Sequence, residues 1–101
     1  MISIIIPVLN EATLLAAALE DLRREAGSFE VIVVDGGSSD RTVACVPEHP
    51  RVRLVHAAQG RAVQMNAGAA VAAGDLLLFL HVDTRPPPGS LEAIAGGKRP
   101  A

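Results

Sequence analysis

Residues 30–35 constrain the fold of this chain more than any other stretch. Val31, Ile32, Val33 and Val34 are four successive β-branched residues, and the run closes on Asp35 before Gly36-Gly37-Ser38-Ser39-Asp40. Branching at Cβ favours extended backbone. The run has no polar alternation, so both faces of the strand need cover, as in the middle of a parallel sheet. A second run, Asp75-Leu76-Leu77-Leu78-Phe79-Leu80-His81-Val82-Asp83, has the same form and also ends on an aspartate. In open α/β sheets the ligand lies beyond the carboxyl ends of the strands. Asp35 and Asp83 are therefore expected to point into one crevice suited to a charged ligand and a metal ion.

Helical and extended patterns alternate along the rest of the chain. Ile2 to Val8 reads as a strand, with Pro7 near its end, where a missing N–H is tolerated. Asn10 is placed to cap a helix from about Glu11 to Ala26, with Leu15, Leu19, Leu22 and Ala26 as its buried stripe and Gly27 as its stop. A short helix from Arg41 to about Val46 follows the glycine turn, capped by Ser39 or Asp40. Val52 to Val55 is a third strand. Arg61 to about Ala73 is a further helix, closed by Gly74. Gly68 lies inside it and calls for a packing or contact reason. Ser90 to Ala95 reads as the start of another helix. The alternation predicts an α/β fold, three layers αβα with a mainly parallel sheet.

The chain has 101 residues, enough for one domain with a modest core. With 9 basic and 11 acidic residues it has no general attraction for nucleic acid or anionic lipid. Cys45 is the single cysteine, so no internal disulfide forms, which fits a reducing compartment. Met1-Ile2-Ser3-Ile4 enters a strand with no basic head, against a signal peptide. No apolar stretch reaches the ~20 residues of a membrane span. These features place the domain in the cytoplasm, with peripheral attachment to the inner membrane left open. The tail Gly96 to Ala101 has no element after it, and the chain reads as a portion of something longer.

Several residues near the predicted strand ends carry possible chemistry. Asp35 is an acceptor for ligand N–H or O–H groups, or else caps its own turn. Gly36 and Gly37 allow positive φ and close approach of backbone to a ligand. His81 and Asp83 are two apart and project to one side of an extended segment, where a divalent ion and diphosphate oxygens would fit. Manganese accepts imidazole more readily than magnesium does. The alternative is a packed His81 and a solvated Asp83. Arg61 opens a helix after Gly60 and suits a phosphate or diphosphate, or stands in solvent. Gln64 and Asn66 are polar on an alanine-rich helix, and Asn66 is expected to touch a neighbouring loop. Asn10 and Glu11 lie near the crevice, and Arg85 is within reach of it. The chain lacks a G-x-G-x-x-G fingerprint and a Walker loop. His49 and His56 receive no role, and no serine has a convincing His-Asp companion.

Taken together, four segments resemble the family-2 inverting glycosyltransferases. They are Ile4 to Glu11, Glu30 to Thr42, Gly60 to Ala69 and Gly74 to Asp83, in the family's order and spacing. The Gly60-Arg61-Ala62-Val63-Gln64-Met65-Asn66 segment is similar to that of a small bacterial subgroup. The resemblance implies a Rossmann-like GT-A fold, here its N-terminal half, and a nucleotide-diphospho-sugar donor. It implies a donor site in which Pro7, Asn10 and Glu11 lie beside the nucleoside, Asp35 meets the base with Gly37 alongside, and Arg61 serves base and diphosphate. Asp83 matches the last aspartate of the metal motif, and His81 stands where many members have a carboxylate. The implied cofactor is Mn²⁺ or Mg²⁺, held by Asp83 and His81. The family's catalytic base comes from later sequence, beyond residue 101, so the chain is expected to be inactive alone. The acceptor is unidentified. A non-catalytic nucleotide or metabolite binding module is the competing reading, and an exposed sheet edge would permit a homo-oligomer.

Overall fold

The computed structural model describes residues 1–84, 87–89 and 91. The elements are β1 (Ile2–Val8), α1 (Ala12–Arg23), β2 (Phe29–Asp35), a 3₁₀ turn (Val43–Cys45), β3 (Val52–His56), α2 (Arg61–Val71) and β4 (Leu76–Phe79). The four strands form one sheet in the order β3-β2-β1-β4, and every pairing is parallel. The expected α/β architecture is present. Among the described residues no helix is long and apolar enough to cross a membrane.

The strand sequences account for the layers. Ile2, Ile4, Ile6 and Val8 of β1 share one face with Phe29, Val31 and Val33 of β2, and Leu15, Ala18 and Leu22 of α1 cover them. Ile5, Ile32 and Val34 face the other way, towards Ala67, Ala69 and Val71 of α2. The second layer is built from small residues, so its helix lies close to the sheet. Gly68 marks the closest approach: a Cβ there would sit 2.5 Å from Ile5 Cγ2 and 3.0 Å from Val34 Cγ2. At the opposite end of the strands, a Cβ on Gly74 would meet the Met1 carbonyl and Ser3 Oγ, each at 2.6 Å. There Glu30 Oε2 accepts from Ser3 Oγ and from the Ala73 N–H, both at 2.6 Å, and Ser3 Oγ accepts from Gly74 N at 2.8 Å.

Several expectations are corrected. Helix α1 ends at Arg23, and Ala26 is exposed. The Arg24 and Glu25 N–H groups donate to Asp21 and Leu22 carbonyls three residues back, which tightens and stops the helix before Gly27 (φ 114). Asn10 does not cap α1; it takes a left-handed conformation (φ 51), which asparagine tolerates, and its side chain serves another loop. The predicted helix after the glycine turn shrinks to the 3₁₀ turn. The run in β4 is not a buried central strand. β4 lies at the sheet edge, where Leu76 and Leu78 are half-buried against the α1 layer and Leu77 and Phe79 remain 39% and 45% exposed. The helix expected over Ser90 to Ala95 lies outside the described residues except for Leu91, which is helical and buried.

The contact at Gly68 yields a prediction. Gly68→Val places carbon into the space of Ile5 and Val34. Urea unfolding should show a loss of about 1–3 kcal/mol from overpacking. Ala70→Val, at an exposed position on the same helix, should change stability by less than about 1 kcal/mol.

Candidate functional site

The loops beyond the carboxyl ends of the strands fall into two groups. The first comprises the chain after β1 (Leu9 to Glu11) and after β2 (Gly36 to Thr42). Asp35 closes β2 at 3% exposure. Its Oδ2 accepts from the Gly37 and Ser38 N–H groups, both at 3.1 Å, and its Oδ1 accepts from Ser38 Oγ at 2.5 Å. Ser38 Oγ in turn accepts from the Asn10 N–H at 2.8 Å. Asn10 Oδ1 accepts from the N–H groups of Ser39 (2.7 Å) and Asp40 (3.2 Å). The two loops are thus laced together through Asn10 and Ser38.

The same lacing starts α1. The Glu11 N–H donates to Thr42 Oγ1 at 2.9 Å, and the Ala12 N–H to Asp40 Oδ2 at 3.4 Å. Thr42 is fully buried, and its hydroxyl and N–H both donate to Asp40 Oδ1. Free N–H groups of the helix are satisfied from a loop about thirty residues on, where a local cap was expected. Glu11 Oε1 folds back to accept from the Leu9 N–H at 3.0 Å.

The second group surrounds the start of α2. Gln64 is buried at 5% exposure. Its Nε2 donates to the Val8 and Val34 carbonyls, both at 2.9 Å, and its Oε1 accepts from the Gly60 N–H at 3.1 Å. Arg61 is exposed at the first position of the helix. Its guanidinium meets both nitrogens of the exposed His81 ring, at 2.6 Å and 2.9 Å. Arginine only donates, so the imidazole accepts through its one bare nitrogen and the tautomer decides which. A cleft of about 210 Å³ opens here, lined by Pro7, Leu9, Glu11, Gly60, Arg61 and Gln64. A smaller hollow of about 30 Å³ continues past Pro7 and Arg61 to Met65, Phe79 and His81. Another hollow, about 100 Å³, lies between α1 and the early residues of β2 and β3, with Leu19, Leu22, Phe29 and Val31 in its wall. Its lining contains none of the strand-end residues.

Burial pushes the Asp35 carboxyl up, but the Ser38 hydroxyl, the Ser38 and Gly37 N–H groups and the His56 ring outweigh it, and the group lies below the usual carboxylate range. His56 Nδ1 is 3.8 Å from Asp35 Oδ2. The Thr42 hydroxyl is the main cause that lowers Asp40, against an opposing effect of burial.

The structure brings Pro7, Glu11 and Arg61 to one cleft and joins Arg61 to His81. It does not leave the Asp35 carboxylate open: the carboxylate holds its own turn. Gly37 (φ 104) is exposed, with open space where a Cβ would stand. Asp83 is exposed beyond β4, and Arg85 lies outside the described residues. Sequence reasoning did not find Ser38, Thr42 or the clamp made by Gln64. Only Gln64 left a signal, a polar residue on an alanine-rich helix. Among the described residues no three His, Cys, Asp or Glu side chains gather to hold a metal ion. The donor set among the described residues does not make an all-protein cage.

Comparison with known proteins extends this picture. The family model described as Glycosyl transferase family 2 matches residues 3–96. A PGL/p-HBAD biosynthesis glycosyltransferase of Mycobacterium tuberculosis is 41% identical over 90 residues, covering 82% of this chain and 35% of the relative. The mannosyltransferase PcManGT from Pyrobaculum calidifontis, solved in complex with GDP-Man and Mn²⁺, superposes with a TM-score of 0.80 at 25% identity, over 98% of this chain and 32% of that one. S. aureus TarS shares the fold, with a TM-score of 0.86 at 24% identity over 94% of this chain and 31% of that one. The chain spans roughly a third of the length of these relatives.

Asp35 makes the site sensitive to acid. Its folded pKa lies below its unfolded value of about 4, so its contribution is complete above about pH 4 and drains as pH falls through the folded value. Asp35→Asn should be less stable than the parent chain at pH 7 by roughly 1–2 kcal/mol, the difference between charge-assisted and neutral hydrogen bonds. Denaturation from pH 7 to pH 2.5 should show that gap narrowing.

Proposed function

Because the chain belongs to glycosyl transferase family 2, we propose that it is the N-terminal, nucleotide-sugar-binding portion of a glycosyltransferase. The reaction is transfer of a sugar from a nucleotide-diphospho-sugar to an acceptor whose class is not assigned. The observation that carries this reading is the Arg61 guanidinium at the first turn of α2, on the rim of the open cleft beyond β1.

The chemistry follows from charge. As the bond from the sugar carbon to the diphosphate oxygen breaks, negative charge builds on the leaving group. Arg61 meets that charge with a guanidinium fork, and the N–H groups of the first turn of α2 add to it. Gly60 precedes this turn at φ 143, a conformation open to glycine, and brings backbone to the rim without a side chain. Pro7 supplies an apolar wall shared by both parts of the cleft. His81 holds Arg61, so Arg61 must exchange an imidazole for phosphate when the donor enters. A divalent cation, Mn²⁺ or Mg²⁺, would be held by Asp83 together with diphosphate oxygens, and it supplies further neutralisation of the leaving group. His81 would be available to such an ion only with its ring free of Arg61. Asn10, Asp35 and Gly37 shape the nucleoside side through the laced loops, and Glu11 borders the cleft.

Titration of the chain with UDP and GDP, with and without Mn²⁺, tests the reading. Binding should be metal-enhanced. Arg61→Ala should weaken it at least about tenfold in either condition, the worth of one charge-assisted contact. Asp83→Ala should remove only the enhancement by Mn²⁺. A folded chain that binds neither nucleotide in either condition overturns the proposal.

A further inference from the structure

We propose that Gln64 is a positioning residue of the site: its buried amide locks the ends of β1 and β2 to the start of α2, so that Asp35's turn and Arg61 are presented as one rigid unit. This deepens the donor-site reading and rests on it for its consequence in binding.

A carbonyl oxygen has two lone pairs, and a ladder bond at the end of a parallel pair uses only one of them. Val8 and Val34 lie at the last pairs of the β1–β2 ladder, and both are buried. The Val8 carbonyl accepts from the Gly36 N–H at 3.0 Å and again from Gln64. The Val34 carbonyl accepts from the same Gln64 amide nitrogen. Only a primary amide offers two N–H donors and an acceptor on a side chain of this length without charge. Its third bond, from the Gly60 N–H to Oε1, is matched by a main-chain bond from Gln64 N to the Gly60 carbonyl at 2.8 Å. The residue before Arg61 is therefore held at both its backbone polar groups by Gln64.

Gly36 completes the fit. A Cβ at Gly36 would lie 2.9 Å from Cδ, Nε2 and Oε1 of Gln64 alike. The amide is packed flat against that glycine, so the Gly36 backbone and the Gln64 side chain form one unit. Asp35 directly precedes Gly36, and Arg61 lies three residues before Gln64. Loss of the amide would remove the second donor from the Val8 carbonyl, cut the tie from α2 to the Val34 carbonyl, and free both loops. The result would be a donor site that has its residues and lacks their placement.

The test compares Gln64→Leu and Gln64→Glu with Leu22→Ala, a core substitution in the α1 layer. Amide exchange at Gly36 and Gly60 is read relative to exchange at Ile32, in the sheet interior. That ratio should rise at least tenfold in both Gln64 variants and stay constant in Leu22→Ala. UDP affinity should fall at least tenfold in the Gln64 variants and hold in Leu22→Ala. If Gln64→Leu fails to fold, Gly36→Ala disturbs the same contact from the other side. Combined with Gln64→Ala, it should weaken UDP binding no more than the worse single change, because the two act together. Unchanged exchange ratios overturn the proposal, and so does unchanged affinity beside altered exchange. If the parent chain binds no nucleoside diphosphate, the donor reading falls, and the exchange ratio still decides whether Gln64 holds the loops.

Discussion

The parallel pairing of β1 with β2 is the constraint on which the rest of the molecule depends. The register runs without a break from Ile2 opposite Phe29 to Val8 opposite Asp35. Two strands of equal length therefore stop at the same level, and the loops that follow them emerge side by side. This places Asn10 within reach of Ser39 and Ser38 within reach of the Asn10 N–H. A shift by one residue would turn Ile4 and Ile6 to the layer of α2 and Ile5 to that of α1. The register is therefore set by the core and used by the site.

Polar side chains at the strand ends serve the backbone. Asp35, Asp40 and Asn10 accept from main-chain groups of the turns, and Gln64 donates to the carbonyls at the end of the β1–β2 ladder. Such groups are costly when buried and unpaired. The consequence for function is rigidity. The loops are held by hydrogen bonds from sequence-distant residues, while Arg61 and His81 remain exposed beside the open cleft. Under the proposed function, donor entry would exchange one contact, between Arg61 and His81.

Much of the fold was legible because its causes are local. The β-branched run of β2 reads as a strand wherever it is placed, and α2 was placed from Arg61 onward by its alanines and the glycine before it. Gly68 was marked as needing a reason, and contact with Ile5 supplies one. The apolar run of β4 misled because its composition does not distinguish a central strand from an edge strand. Asn10 misled because a side chain with a strong capping preference found partners in a loop far along the chain. Thr42 and Ser38 carried no pattern that would separate them from ordinary turn residues.

By itself, the sequence determined the layers and the residues at the strand ends, since burial on both faces and the spacing of helix and strand are properties of short segments. The family motifs are of the same kind. Only the tertiary structure decided which of these residues stay exposed at the cleft and which hold the frame. Asp35 was a candidate for ligand contact and Gln64 only an unexplained polar residue on a helix, and both turn inward to main-chain groups. Arg61 and His81 lie twenty residues apart and meet only because β4 pairs beside β1, at the level where α2 begins. The physical reason is that hydrogen-bond demand at a strand end depends on which strands lie next to it, and neighbours in space are chosen by topology.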